Sequence, residues 1–201
     1  MSGHIRFVGT PPERKMIDVS TCQTGTKALQ EETIVVGVNG GLKEVVITLN
    51  DAPTTSGNQQ LAATLDQIDC RYVPHVLALQ VGQPLSITSS DSCFHNVYLR
   101  GTNTEGRNYN FQRAGIVETV NFDRPGIVET RCNVHPWMNA SIVVTGSPFF
   151  AVSAADGSFT ISRVPAGRYE VVAWHPILGK KTATIDVAAD GAIEVNFEFG
   201  T

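Results

Sequence analysis

The chain has 201 residues, 42% of them hydrophobic, enough for one large or two small domains with their own cores and too apolar for a disordered segment. Fifteen Lys and Arg against nineteen Asp and Glu give a net charge of −4, so no basic surplus exists to neutralise a phosphate backbone, and nucleic acid is not an expected partner. No apolar run reaches the roughly 18 residues of a membrane span, and the start Met1-Ser2-Gly3-His4-Ile5 lacks the features of a secretory signal, as a mature exported chain also would.

Short runs of Val, Ile, Thr and Phe recur between Gly, Pro, Asn and Asp, the pattern of an all-β sandwich or barrel. In chain order it predicts strands over His4 to Val8, Thr33 to Val38, Glu44 to Leu49, Val76 to Val81, Leu85 to Thr88, Asn96 to Leu99, Ile116 to Phe122, Ile127 to Cys132 and Ser141 to Thr145. A second set follows over Phe149 to Val152, Ser158 to Ile161, Arg168 to Trp174, Lys181 to Val187 and Ile193 to Phe199, with turns at Asp156-Gly157, Pro165 to Gly167 and Asp190-Gly191. Leu61 to Ile68 fits a short helix or a strand equally. Ala52 to Gln59 and Gly101 to Arg107 are polar and read as loops, the first also as a domain boundary. Gly115-Ile-Val-Glu-Thr119 recurs as Gly126-Ile-Val-Glu-Thr130, too short a match for a repeat unit; two strands of one sheet would share such β-formers by chance.

The densest chemistry lies in Cys132-Asn133-Val134-His135-Pro136-Trp137-Met138, with a lone His95 upstream. A thiolate at a strand end, a histidine three residues on and a thioether three further can reach one point, and His95 at the start of a neighbouring strand supplies a second nitrogen. This is a trigonal His₂Cys set with a weak axial Met, which suits copper in electron transfer. Zinc sites draw on thiolate, imidazole or carboxylate, and a thioether would be an odd choice for them. Each residue alone is more often structural, and only their common register singles them out.

Gly82-Gln-Pro-Leu-Ser-Ile-Thr-Ser-Ser-Asp91, His95-Asn96-Val97 and Cys132 to Met138 together resemble the cupredoxins, whose small members include plastocyanin and amicyanin; the short loop is most similar to amicyanin. The resemblance covers roughly Leu61 to Gly146. It implies a Greek-key β-sandwich holding one type 1 copper through His95, Cys132, His135 and Met138. Asn96 would pin the Cys132 loop, and Pro136 and Trp137 would form an apolar rim around His135.

Asp69-Cys70-Arg71-Tyr72-Val73-Pro74-His75 departs from the small-cupredoxin pattern and is similar to a motif of longer bacterial plastocyanin-like or methylamine-utilisation proteins. In those a cupredoxin precedes a carboxypeptidase-regulatory-like sandwich. Ala155-Asp-Gly-Ser-Phe159, Val164-Pro-Ala-Gly-Arg-Tyr169 and Ala173-Trp174-His175 resemble the strands and turns of that transthyretin-like domain. The domains implied are a cupredoxin over 61–146 and a smaller sandwich over 147–201, completed by N-terminal strands from 1–60, so that the cupredoxin is inserted into the other.

No Cys-x-x-Cys pair is present, which argues against a zinc ribbon or thioredoxin-type motif. With Cys132 as a metal thiolate, an exported protein would pair two of the other three cysteines, and Cys22 with Cys70 is favoured; the compartment is then periplasmic or extracellular. Cys93 has no assigned role, although a free thiol there is open to oxidation or stray metal. His75 is an accessory ligand candidate, more often in such a setting a buried histidine bonded to backbone; His175 reads as structural and His4 as a strand residue.

The implied function is outer-sphere, one-electron transfer between a donor and an acceptor protein, without a substrate and without enzymatic activity. A nitrite reductase or multicopper oxidase needs further copper sites, and His4, His75 and His175 are too widely spread to build them. The rival reading is a non-catalytic binding or scaffold module for carbohydrate or protein, with a metal site that is vestigial or stores copper.

Overall fold

The computed structural model describes all residues except 23, 24, 26, 27, 55–60, 102, 103, 190 and 201. Period-two alternation of apolar residues builds the strands: in Ser2–Val8 the side Gly3, Ile5 and Phe7 is buried and the other is exposed. In chain order the strands are β1 (Ser2–Val8), β2 (Met16–Asp18), β3 (Ala28–Gln30), β4 (Val46–Asn50), β5 (Ala63–Ile68), β6 (Arg71–Val73), β7 (Val76–Gln80), β8 (Leu85–Thr88) and β9 (His95–Gly101). There follow β10 (Thr104–Phe111), β11 (Val117–Val120), β12 (Gly126–Arg131), β13 (Asn139–Thr145), β14 (Phe150–Val152), β15 (Ser158–Thr160), β16 (Gly167–His175), β17 (Gly179–Val187) and β18 (Phe197–Gly200). Among the described residues the only helices are single 3-10 turns at Ser20–Cys22 and Val38–Gly40. The chain is all-β.

Two units divide it. The first comprises Met1–Arg14, Glu32–Thr55 and Ser147–Thr201. Its sheets run β15-β1-β18 and β14-β4-β16-β17. Strand β1 lies antiparallel to β15 and parallel to β18, and β4 lies between β14 and β16, so N-terminal strands complete this sandwich. Its core holds Ile5, Phe7, Ile47, Leu49, Phe159, Val171, Phe197 and Phe199. Gly157, at φ +81, turns the chain so closely against Ile5 that a Cβ would sit 2.2 Å from the Ile5 carbonyl oxygen, which only glycine tolerates.

The second unit comprises Lys15–Glu31 and Ser56–Gly146. A five-stranded sheet, β10-β9-β12-β13-β7, and a four-stranded sheet, β11-β8-β5-β6, enclose Leu65, Tyr72, Leu79, Ile87, Val97, Leu99, Phe111 and Ile142. The hairpin β2-β3 belongs here too. Of the N-terminal region, residues 15–31 thus lie with this unit and not with the other sandwich. The reason is burial: Val19 and Cys22 are 0% and 1% exposed in this core, and Cys22 is disulfide-bonded to Cys70.

Leu61 to Ile68, which fitted a helix or a strand, contains strand β5 over Ala63–Ile68, with Leu65 and Gln67 on its buried side. Other expectations need correction. Thr33 to Val38 forms no strand; a single bridge joins Val36 to Leu42, and Asn39 at φ 56 turns the backbone away from extension. Of the loop expected at 101–107, Gly101 ends β9 and Thr104 starts β10, while 102 and 103 lie outside the described residues. Residues 55–59 of the other expected loop, and Asp190 of the last turn, also lie outside them. The two Gly-Ile-Val-Glu-Thr segments are in different sheets, since β11 pairs with β8 and β12 with β9 and β13.

Candidate metal centre

Antiparallel pairing of β9 with β12 aligns Tyr98 with Arg131, which sets the start of β9 beside the end of β12. His95 is the first residue of β9, and Cys132 directly follows β12. The segment 132–138 returns to β13 as a tight loop: the Cys132 amide donates to the Met138 carbonyl at 3.1 Å, and the Met138 amide to the His135 carbonyl at 2.9 Å. The fold thus brings the four predicted ligand residues into one buried region. His95 Nδ1 faces His135 Nδ1 at 3.1 Å, and Cys132 Sγ lies 3.8 Å from His135 Nδ1. His95, Cys132, His135 and Met138 are 0%, 4%, 8% and 1% exposed.

Burial by itself pushes the Cys132 thiol up. His95 and the amides of Asn96, Val134 and His135 outweigh it, so the thiol lies below its ordinary value. Burial, then the charge of His95, lowers His135, with Asp91 acting in the opposite direction. Burial also works against a charged His95, but hydrogen bonds with Cys132 and Asp91, and their charges, raise it. Two imidazole nitrogens face to face beside a thiol inclined to ionise form a donor set suited to a soft or borderline cation.

Asp91 is the residue that sequence reasoning missed. Its Oδ2 lies 2.8 Å from His95 Nε2 and accepts the Cys70 amide at 2.9 Å, while Oδ1 accepts the Asp69 amide at 2.8 Å. Asp69 and Cys70 both have positive φ, 51° and 62°, in the two-residue turn between β5 and β6. One carboxylate therefore fixes a turn that neither residue favours and, through Nε2, orients His95 with Nδ1 toward His135. A short polar run containing an Asp gives no hint of this from sequence, because the two amides it accepts belong to a turn 21 and 22 positions earlier.

Asn96 Oδ1 accepts the Asn133 amide at 3.1 Å, and its amide group donates to Asn108, Asn110 and the Tyr109 carbonyl. It ties the Cys132 loop to β10. Trp137 is half-buried: its indole N–H donates to the Cys70 carbonyl at 3.1 Å, and its ring lies 5.2 Å from that of His135. The exposed apolar residues near the loop are instead Phe94, Val134 and Pro136. The His75 carbonyl accepts the Ser141 amide, and His75 belongs to neither metal-competent group among the described residues. Those groups are Cys22, His95 and His135, and Cys22, Cys70, Asp91 and Cys93, each with atoms within 4.8 Å of one another, but the disulfide between Cys22 and Cys70 takes up Cys22 in the first and both of its cysteines in the second. Cys93 Sγ lies 3.3 Å from His95 Nε2, and burial, then Asp91, pushes its thiol up. His4 and His175 lie in the first unit, His4 exposed and His175 buried.

Residues 126–200 match the family model of the carboxypeptidase regulatory-like domain. The match begins at β12, in the second unit, whereas the first unit draws β1 and β4 from the N-terminal side. Solved structures similar to the chain include a reduced Cu(I) amicyanin variant, 17% identical, covering 49% of this chain and 98% of that one at a TM-score of 0.38. A purple cupredoxin from Nitrosopumilus maritimus is 22% identical over 41% of this chain and 99% of its own, at 0.36. A Cu-containing nitrite reductase from Thermus scotoductus SA-01 is 17% identical over 71% of this chain and 28% of its own, at 0.40. No curated protein sequence matches the chain. The family match therefore covers the C-terminal part of an all-β chain.

Proposed function

We propose that the second unit binds one copper ion as a type 1 centre, through His95, Cys132, His135 and Met138, and serves in outer-sphere electron transfer between two redox proteins. The observation that carries the reading is the meeting of His95 Nδ1, His135 Nδ1 and Cys132 Sγ in a buried region that also holds Met138. Copper, when bound, supplies one-electron chemistry by cycling between Cu(I) and Cu(II). The protein supplies the rest. Asp91 and Asn96 hold the ligand side chains and loop in one arrangement, which limits reorganisation between oxidation states. Burial excludes water. Exposed Phe94, Val134 and Pro136 offer a redox partner an apolar approach to His135. The Cys22–Cys70 disulfide supports a periplasmic or extracellular location.

Adding Cu(II) to the purified chain should give an intense blue or green colour that Cys132→Ser lacks, and the coloured protein should give a reversible one-electron wave. A colourless wild-type protein defeats the copper reading; a coloured protein with no such wave defeats electron transfer alone.

A binding role for the first unit is a second reading, favoured by an open cavity of about 520 Å³ lined by His4, Arg6, Asn39, Asp156, Glu194 and Glu198. It predicts that a carbohydrate or protein ligand shifts resonances of these residues; no shift across a ligand panel would remove it.

A further inference from the structure

On the Nε2 side of His95, three sulfurs meet. Cys22 and Cys70 are bonded, and the thiol of Cys93 lies 3.3 Å from Cys22 Sγ. Cys22 and Cys70 are 1% and 0% exposed, whereas Cys93 is half-buried and free. The fourth cysteine, Cys132, does not join this cluster. Disulfides exchange when a sulfur nucleophile attacks one sulfur of the bond and expels the other. Reacting atoms held about 3 to 3.5 Å apart have already met the cost of encounter.

We infer that Cys22, Cys70 and Cys93 form an intramolecular thiol–disulfide exchange site, in which Cys22 is shared between two partners. The Cys93 sulfur, 3.3 Å from Cys22 Sγ, bonds to it and loses its proton. The Cys22–Cys70 bond breaks, and its electron pair leaves on Cys70, which takes up a proton. One disulfide and one thiol stand on each side, so no oxidant or reductant is consumed. The exchange moves Cys93 Sγ, now 3.3 Å from His95 Nε2, into a bond with Cys22. It also frees Cys70, whose amide and carbonyl are held by Asp91 and by the Trp137 indole. Being the sulfur that solvent reaches, Cys93 is also where a small thiol or disulfide of the glutathione class would enter.

The test is disulfide mapping of the metal-free full-length chain, so its outcome does not depend on copper binding. The protein is equilibrated in a reduced and oxidised glutathione buffer, quenched with acid, alkylated, digested without reduction and analysed by mass spectrometry. The expected result is a Cys22–Cys93 peptide, with Cys70 alkylation rising by the fraction that Cys93 alkylation falls. A sole Cys22–Cys70 linkage, with Cys93 alkylated or carrying glutathione, overturns the inference. In Cys93→Ser, Cys70 alkylation should be lost; its persistence would overturn the inference, since glutathione alone would then open the bond. In Cys70→Ser, Cys22 and Cys93 should pair and both escape alkylation, and alkylation of both would sink the proposal. Should that variant fail to fold, the wild-type measurement still decides.

Discussion

Each unit buries a histidine, and the two are used differently. His175 of the first unit is 1% exposed, and its Nδ1 accepts the amides of Ile177 and Leu178 at 3.2 and 3.3 Å, so the ring serves the turn between β16 and β17. His95 of the second is 0% exposed, but its Nε2 is held by Asp91 and its Nδ1 is turned toward His135. Burial does not separate a structural histidine from a candidate ligand. The separation lies in whether backbone donors already occupy the nitrogen lone pair.

The sharpest way to break this contrast is a pair of variants. Cys132→Ser should remove the visible absorption of the copper-loaded protein entirely, and His175→Ala should leave it in place; loss of colour in the second would erase the distinction. Next in size, Asp91→Ala leaves the half-buried Asp69 amide, the buried Cys70 amide and His95 without their acceptor. At about 1 to 3 kcal/mol per unsatisfied group, partly relieved by water, urea unfolding should show a loss of about 3 kcal/mol. A loss near zero would mean that Asp91 is not the organiser of the site. In the first unit, Ser153 Oγ accepts the Val45 amide at 2.9 Å and donates to the Leu42 carbonyl at 2.8 Å. Ser153→Ala should cost about 1 to 3 kcal/mol in the same assay, with the copper spectrum unchanged. The smallest effect is expected at Arg131, beside Cys132, whose 3.2 Å ion pair with Glu129 lies in solvent. Arg131→Ala should change stability by less than about 1 kcal/mol, and a larger loss would point to packing of the arginine stem on the loop.

The strands that carry the site were legible in sequence because they alternate and because the ligand types fall in order. Strand β10 was not. Thr104-Glu-Gly-Arg-Asn-Tyr-Asn-Phe111 has the composition of a loop and is held extended by its register with β9, Arg107 opposite Leu99 and Phe111 opposite His95. The same applies to Asp91, whose role depends on a turn brought to it by the fold. The apolar rim was only partly legible. A tryptophan next to a candidate ligand reads as exposed until a distant carbonyl, that of Cys70, is found to hold its N–H. The proximity of Cys93 to Cys22 has no sequence signal, since 71 residues separate them.

The parallel pairing of β1 with β18, Ile5 opposite Phe197 and Phe7 opposite Phe199, has a consequence for how the molecule is made. A chain emerging N-terminus first presents all of the second unit before β18 exists. The second unit can therefore complete its core while β1 is still an open edge. Strand β1 thus lacks its parallel partner until β18 is made, by which point every residue of the second unit has been synthesised.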